Sequence, residues 1–156
     1  MIRKANKHDI ETLAVWLMDL LDHVREQSQD PYLKDASLSE ELATQEVEEF
    51  LKDQASRILV AETNGSLVGF ISGTTIPPFV PNSTIGDIGY IQMLWVPPNH
   101  RLEGWGRKLL ESIEAWFSDQ GIEYVDLHYL LKNGHADGFW KSCGYTPYRV
   151  TARKAL

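Results

Sequence analysis

The stretch Trp95-Val96-Pro97-Pro98-Asn99-His100-Arg101-Leu102-Glu103-Gly104-Trp105-Gly106-Arg107-Lys108-Leu109-Leu110 reads as a strand end, a proline stop, a short loop with two glycines and a helix start. Arg101 and Arg107 stand at the N-terminal end of that helix. Loose backbone amides, the positive end of a helix dipole and flanking arginines together suit a phosphate group. Glycine at 104 and 106 fits this, because a Cβ at either position is expected to hold a pyrophosphate away from the amides. The same residues also fit an ordinary strand-loop-helix connection. Two familiar phosphate signatures are excluded. A Walker loop needs Gly-Lys followed by Ser or Thr, but Gly106 is followed by Arg107, Lys108 and Leu109. A dinucleotide fingerprint needs a third glycine where Leu109 stands.

Upstream of this stretch, residues 86–96 read as a strand. The segment Pro77-Pro78-Phe79-Val80-Pro81 before it cannot be a central strand and reads as a rigid loop. Ile58 to Ala61 and Leu67 to Ile71 flank Asn64-Gly65, a hairpin signal, because that dipeptide tolerates the positive φ angles of a tight turn. Residues 2–5 fit a short edge strand. Leu13, Leu17, Leu20, Leu21 and Val24 lie on one face of a helix. Gln27 to Asp35, broken by Pro31, reads as a loop. Ser37 with Glu40 suggests a capping box for a second helix bearing Ala43, Val47, Phe50 and Leu51 on one face. Downstream, Leu109, Leu110, Ile113, Trp116 and Phe117 share a helix face stopped by Gly121. Tyr124 to Leu131 reads as a strand, 134–143 as a short helix stopped by Gly144, and Tyr145 to Ala155 as a strand closing the sheet.

The 156 residues suffice for one sizeable core and are expected to form one domain, 1–156. The net charge of −7 disfavours nonspecific nucleic-acid binding and mildly suits a cationic partner. Cys143 is the only cysteine, so no intrachain disulfide can form. The N-terminus is charged from Arg3 onward, and no stretch approaches the ~20 apolar residues of a membrane span. A cytoplasmic location is expected, with no membrane partner. His8, His23, His100, His128 and His135 show no metal spacing, so no metal is expected.

Arg101-x-x-Gly104-x-Gly106 after the Val96-Pro97 strand end resembles the coenzyme A pyrophosphate loop of the GNAT N-acetyltransferase superfamily. Three further segments carry the resemblance in the family's order. Ile2-Arg3-Lys4-Ala5 with Asp9-Ile10 and Leu13 looks like its opening strand and first helix. Tyr90-Ile91-Gln92-Met93-Leu94-Trp95-Val96 resembles its fourth strand. Asn133-x-x-Ala136-x-x-Phe139-Trp140-x-x-x-Gly144-Tyr145 resembles its fourth helix. The match runs nearly end to end and is weakest over residues 22–56. It implies an α+β, GNAT-like fold of order β-α-α-β-β-β-α-β-α-β: a mixed, mostly antiparallel sheet with helices on both faces. In that family the fourth and fifth strands splay apart to admit the pantetheine arm.

The resemblance implies acetyl-CoA as cosubstrate. Amides of Arg101, Leu102, Glu103, Gly104, Trp105, Gly106 and Arg107 would hold the pyrophosphate, with Glu103 itself turned to solvent. Backbone groups of Leu94, Trp95 and Val96 would pair with the pantetheine amides as a surrogate strand. A backbone N–H at Leu94 or a neighbour, turned by a bulge, would face the developing oxyanion. Asn133 would bond the pantetheine arm, cap the last helix, or do both. Trp140 takes the place of the family's frequent tyrosine acid, at the coenzyme.

Acetyl transfer needs a neutral amine, yet a lysine-like amine has pKa ~10.4. The thiol leaving group, at pKa ~8.5, departs tolerably unaided, so a base matters more than an acid. Many relatives carry a glutamate base on the fourth strand; this chain has Gln92 there. A neutral amide takes no proton, and the Trp140 indole only donates. Water ordered by Gln92 is the preferred base. Asp87 is a substitute if a bulge corrects its parity, Tyr90 shares the Gln92 face, and His128 has the right chemistry, although strand histidines are commonly structural. Tyr129, Tyr145 and Cys143 are candidate proton donors, more simply read as core. The expected activity is transfer of acetyl from acetyl-CoA to a small-molecule or peptide amine, by direct attack in a ternary complex; a homodimer is compatible with it. The rivals are a non-catalytic acyl-CoA-binding module that kept the loop and an interaction protein that kept only the scaffold.

Overall fold

Asn64 and Gly65 take φ of 50° and 76°, the left-handed pair that a tight hairpin requires, and join β2 (Ser56–Thr63) to β3 (Ser66–Ile76). In the computed structural model, which describes residues 1–28 and 30–156, these two strands form the centre of a five-stranded sheet ordered β1-β2-β3-β4-β5. The others are β1 (Ile2–Lys4), β4 (Ile88–Trp95) and β5 (Val125–Leu127). β1 through β4 pair antiparallel; β5 runs parallel to β4. The α+β class and the mixed, mostly antiparallel sheet are those expected.

The helices are α1 (Ile10–Ser28), α2 (Pro31–Lys34), α3 (Glu40–Lys52), α4 (Trp105–Asp119) and α5 (Gly134–Ser142). They lie on both faces, because the central strands are apolar on both. Val60 and Phe70 pack with Leu13, Trp16, Leu17, Ala43 and Val47 from α1 and α3. Ala61, Val68 and Ile71 pack on the other face with Leu109, Ile113 and Phe117 from α4 and Trp140 from α5. β1 is fastened to the start of α1 by Asp9, which accepts from Arg3 Nη1 and Nη2 at 2.8 and 2.9 Å and from the Asn6 amide at 2.8 Å. The Arg3 guanidinium therefore holds the Asp9 carboxyl below the usual range, against the opposing effect of its burial.

Several expectations are corrected. α1 runs on to Ser28, into the expected loop, and Pro31 begins a short helix instead of breaking one. Its ring suits the first helical position, and Asp30 caps it by accepting from the Tyr32 amide at 2.8 Å. Ser39, not Ser37, caps α3, accepting from the Leu42 amide. β5 is three residues long instead of spanning Tyr124 to Leu131. The closing strand over Tyr145 to Ala155 does not form, so β5 is the sheet edge. Pro147 removes a ladder donor there, and polar ties hold the segment elsewhere. Tyr148 bonds Asp126, Arg149 lies 3.8 Å from the Phe79 ring centroid, and Arg153 bonds Asp30 at 2.8 Å. Among the described residues no helix is long and apolar enough to cross a membrane.

Candidate functional site

β4 and β5 stay paired only from Gly89↔Val125 to Ile91↔Leu127. Beyond that point β4 continues to Trp95 with no strand on that side, so the sheet forks. On its other side β4 carries a bulge: Ser72 pairs Met93 and Gly73 pairs Ile91, leaving Gln92 as the extra residue. Packing registers the same event. Ile91 belongs to the α4 face, but Met93 and Trp95, its same-face neighbours in a regular strand, pack on the α1–α3 face, while Leu94 and Val96 take the α4 face. Gln92 itself is exposed, at the point where the fork opens.

The chain then passes the Pro98–His100 turn and enters α4. Leu102 and Gly104 both have positive φ, 65° and 82°. Gly104 is the N-cap and offers no side-chain bond; the first helical contact is Lys108 N to Gly104 O at 3.2 Å. The amides of Trp105, Gly106 and Arg107 thus precede the intrahelical ladder, at the positive end of a fifteen-residue helix. A Cβ at Gly104 would meet nothing within 4 Å, so the loop face there is open. An anion fits this end of α4.

A fork and an uncapped helix start, joined by one loop, suggest a ligand with a chain and a phosphate. The sequence pattern of the Acetyltransferase (GNAT) family matches residues 18–145. This chain belongs to that family. A probable N-acetyltransferase HLS1-like protein of Arabidopsis thaliana is 40% identical over 66 residues, 40% of this chain and 16% of that protein. An aminoglycoside N(6')-acetyltransferase type 1 of Stenotrophomonas maltophilia is 24% identical over 102 residues, 65% of this chain and 67% of that one. The solved structure of aminoglycoside N-acetyltransferase AAC(6')-Iy with CoA shares the fold at TM-score 0.79 and 16% identity, covering 100% of this chain and 95% of that one.

On this GNAT scaffold the expected residues divide. Gln92, Leu94, Trp95, Val96 and the loop Arg101 to Arg107 come together along the fork and the α4 start. The Trp95 indole is buried against α1, with His23 edge-on at 5.6 Å and Nε1 without a partner, so only its backbone lines the fork. Arg101 folds back onto β4: Nε donates to the Val96 carbonyl at 3.0 Å and the guanidinium covers Trp95. Arg107 reaches the end of α5, donating to the Ser142 carbonyl and Oγ at 3.3 and 3.2 Å. Glu103 is exposed, as expected, and accepts from Trp105 Nε1 at 3.0 Å.

Gly106 does other work than expected. A Cβ there would point to Phe139 at 3.4 Å and Leu94 at 4.0 Å, into the seam between α4 and α5, not toward the loop. Trp140 is 8% exposed, in the core against Phe139 and Tyr145. Asp87 lies outside β4, in a surface depression with Gly121 and Tyr124. It stands five residues before Gln92, about 16 Å along an extended strand. Asn133 caps α5, its Oδ1 accepting from the Ala136 amide at 3.1 Å.

Two of the three candidate proton donors, Tyr129 and Tyr145, are engaged. Tyr129 donates to Asp137 at 2.8 Å, which raises its pKa, and Asp137 also accepts from Lys141. Tyr145 donates to Glu114 at 2.7 Å; burial first, then that carboxylate, push its phenol far up. Tyr90 and His128, weighed only in passing from sequence, are in hydrogen-bond contact across β4 and β5. Their spacing gave no signal, because strand pairing creates the contact. Among the described residues no three His, Cys, Asp or Glu are grouped to hold a metal.

Proposed function

We propose that residues 1–156 form one N-acetyltransferase domain that moves acetyl from acetyl-CoA to a primary amine by direct attack in a ternary complex. One observation carries the reading: the fork between β4 and β5, bulged at Gln92, opens beside the uncapped start of α4. The unpaired side of β4 from Leu94 onward suits the pantetheine amides, and the amides from Gly104 to Arg107 suit the pyrophosphate. A bulge re-aims backbone groups, so a β4 N–H is available to a developing oxyanion. Asn133 serves as cap and, by its place, as partner for the pantetheine arm.

The acceptor is a small-molecule amine. Relatives named for aminoglycosides support that class, and the acidic net charge suits a cation. The loops before α3 and before β4 carry Asp30, Tyr32 and Phe79, which already engage Arg153 and Arg149 of this chain, so they have the chemistry to meet a cation. A second reading, a module that binds acyl-CoA without turnover, is favoured by Gln92 in place of an acid residue and by the burial of Trp140. Thiol release from acetyl-CoA over kanamycin, spermidine, lysine and a lysine-bearing peptide separates the two. Turnover with at least one amine is expected; coenzyme binding with none turned over contradicts catalysis.

A further inference from the structure

Tyr90 and His128 meet where the sheet divides. Tyr90 pairs with Asp126 in the parallel ladder, and the ladder ends one residue later, at Ile91 and Leu127. His128 is therefore the first residue of the β5 branch past the fork, as Gln92 is the first of the β4 branch. Side chains two apart share a sheet face, so Asp126 and His128 lie on the face of Tyr90. The Tyr90 hydroxyl and His128 Nδ1 are in hydrogen-bond contact, with ring centroids 6.0 Å apart. Tyr90 is half-buried and its phenol is pushed up by that burial, whereas the His128 ring is exposed. One end of the imidazole is thus anchored to the sheet and the other is open.

The geometry points to His128 as the catalytic base for the amine, with Tyr90 as the residue that positions it. This rests on the acetyltransferase reading above. It assigns the proton to a side chain that Gln92 cannot replace, because a neutral amide takes none. With the imidazole proton on Nδ1 and shared with the Tyr90 oxygen, Nε2 presents a lone pair to the open side. The incoming ammonium gives one proton to Nε2, directly or through a water, and the neutral amine attacks the thioester carbonyl carbon. The N–C bond forms and the C–S bond breaks. The second proton shed by nitrogen goes to the departing thiolate, and His128 returns the first to solvent. Among the described residues, Asp126 on β5 and Arg149 in the C-terminal segment act on Tyr90, and Tyr148 stands beside them. Tyr148 bonds Asp126, and Asp126 and Arg149 act in opposite directions on Tyr90.

The test is kcat/KM against pH from 6 to 9.5, for the parent, His128→Gln and Tyr90→Phe, with the panel amine that releases thiol fastest. Calorimetric coenzyme A binding checks that each variant is folded and loaded. The parent is expected to rise to a plateau well below the amine's own pKa. His128→Gln is expected to fall about a hundredfold or more at pH 7, the range of general-base catalysis. It should then rise roughly tenfold per pH unit toward the amine pKa, closing the gap, with coenzyme affinity unchanged. Tyr90→Phe should lower kcat more than it raises KM. It should also move the ascending limb to lower pH, because the imidazolium loses its acceptor. A His128→Gln enzyme with the parent's profile overturns the proposal and leaves the acetyltransferase reading standing. A Tyr90→Phe limb that does not move overturns the positioning role. No turnover of any amine by a parent that binds coenzyme sinks the acetyltransferase reading, and this proposal with it.

Discussion

Gly104 and Gly106 stand two apart in one loop and do different physical work. Gly104 sits at φ 82°, where an L side chain costs about 1–2 kcal/mol, and the space around it is open. Gly106 lets α4 approach Phe139, and a methyl there would meet ordinary van der Waals distances of 3.4 and 3.5 Å. Gly104→Val is therefore expected to lower coenzyme A affinity at least tenfold, by straining the loop whose amides are proposed to hold the pyrophosphate. Gly106→Ala is expected to change it less than threefold. Calorimetric titration of both folded variants checks this, and equal losses would contradict the assignment. The sequence alone gave both glycines one role, because the direction of an absent Cβ depends on which helix arrives opposite it. The burial of Trp140 was not legible for the same reason: its spacing matches a motif, but its surroundings depend on Tyr145 and Phe139 packing against it.

Elements whose cause is local were legible. Asn64-Gly65 specifies its own turn, and the apolar face of α4 specifies its packing. Elements that depend on a partner were not. Tyr145 to Ala155 alternates well enough for a strand, yet Arg149 and Arg153 tie it to Phe79, Tyr32 and Asp30. The bulge at Gln92, implied there only by the family resemblance, is a mismatch between two strands, so the β4 residues alone do not reveal it. The same holds for the tie between β1 and α1. Asp9 is 4% exposed and bound by three donors, two of them on Arg3. Its folded pKa is depressed, so its stabilisation is complete above the unfolded value of about 3.9 and is lost as pH falls through the folded value. Asp9→Asn is expected to cost about 2 kcal/mol near neutral pH and to flatten the fall in Tm between pH 4 and pH 2. Melting curves across that range check it; an unchanged acid limb would show that the tie is not coupled to folding.

At the scale of the molecule, two packed faces hold a sheet that is continuous through β4 and divided beyond it. α1 and α3 cover one face, α4 and α5 the other, and the divided end lies beside the start of α4. The family pattern over residues 18–145 accounts for that architecture. The chemistry proposed for this chain lies at the fork, where Gln92, Tyr90 and His128 stand. The central claim is that the fork and the α4 start together take an acyl-coenzyme A. The most direct measurement is an amide NMR titration of the isotope-labelled protein with acetyl-CoA. Amides of residues 94–96 and 104–107 are expected to shift together, saturating with one affinity, while those of β1 and β2 stay still. Shifts confined to other elements, or none at millimolar coenzyme, would contradict the account.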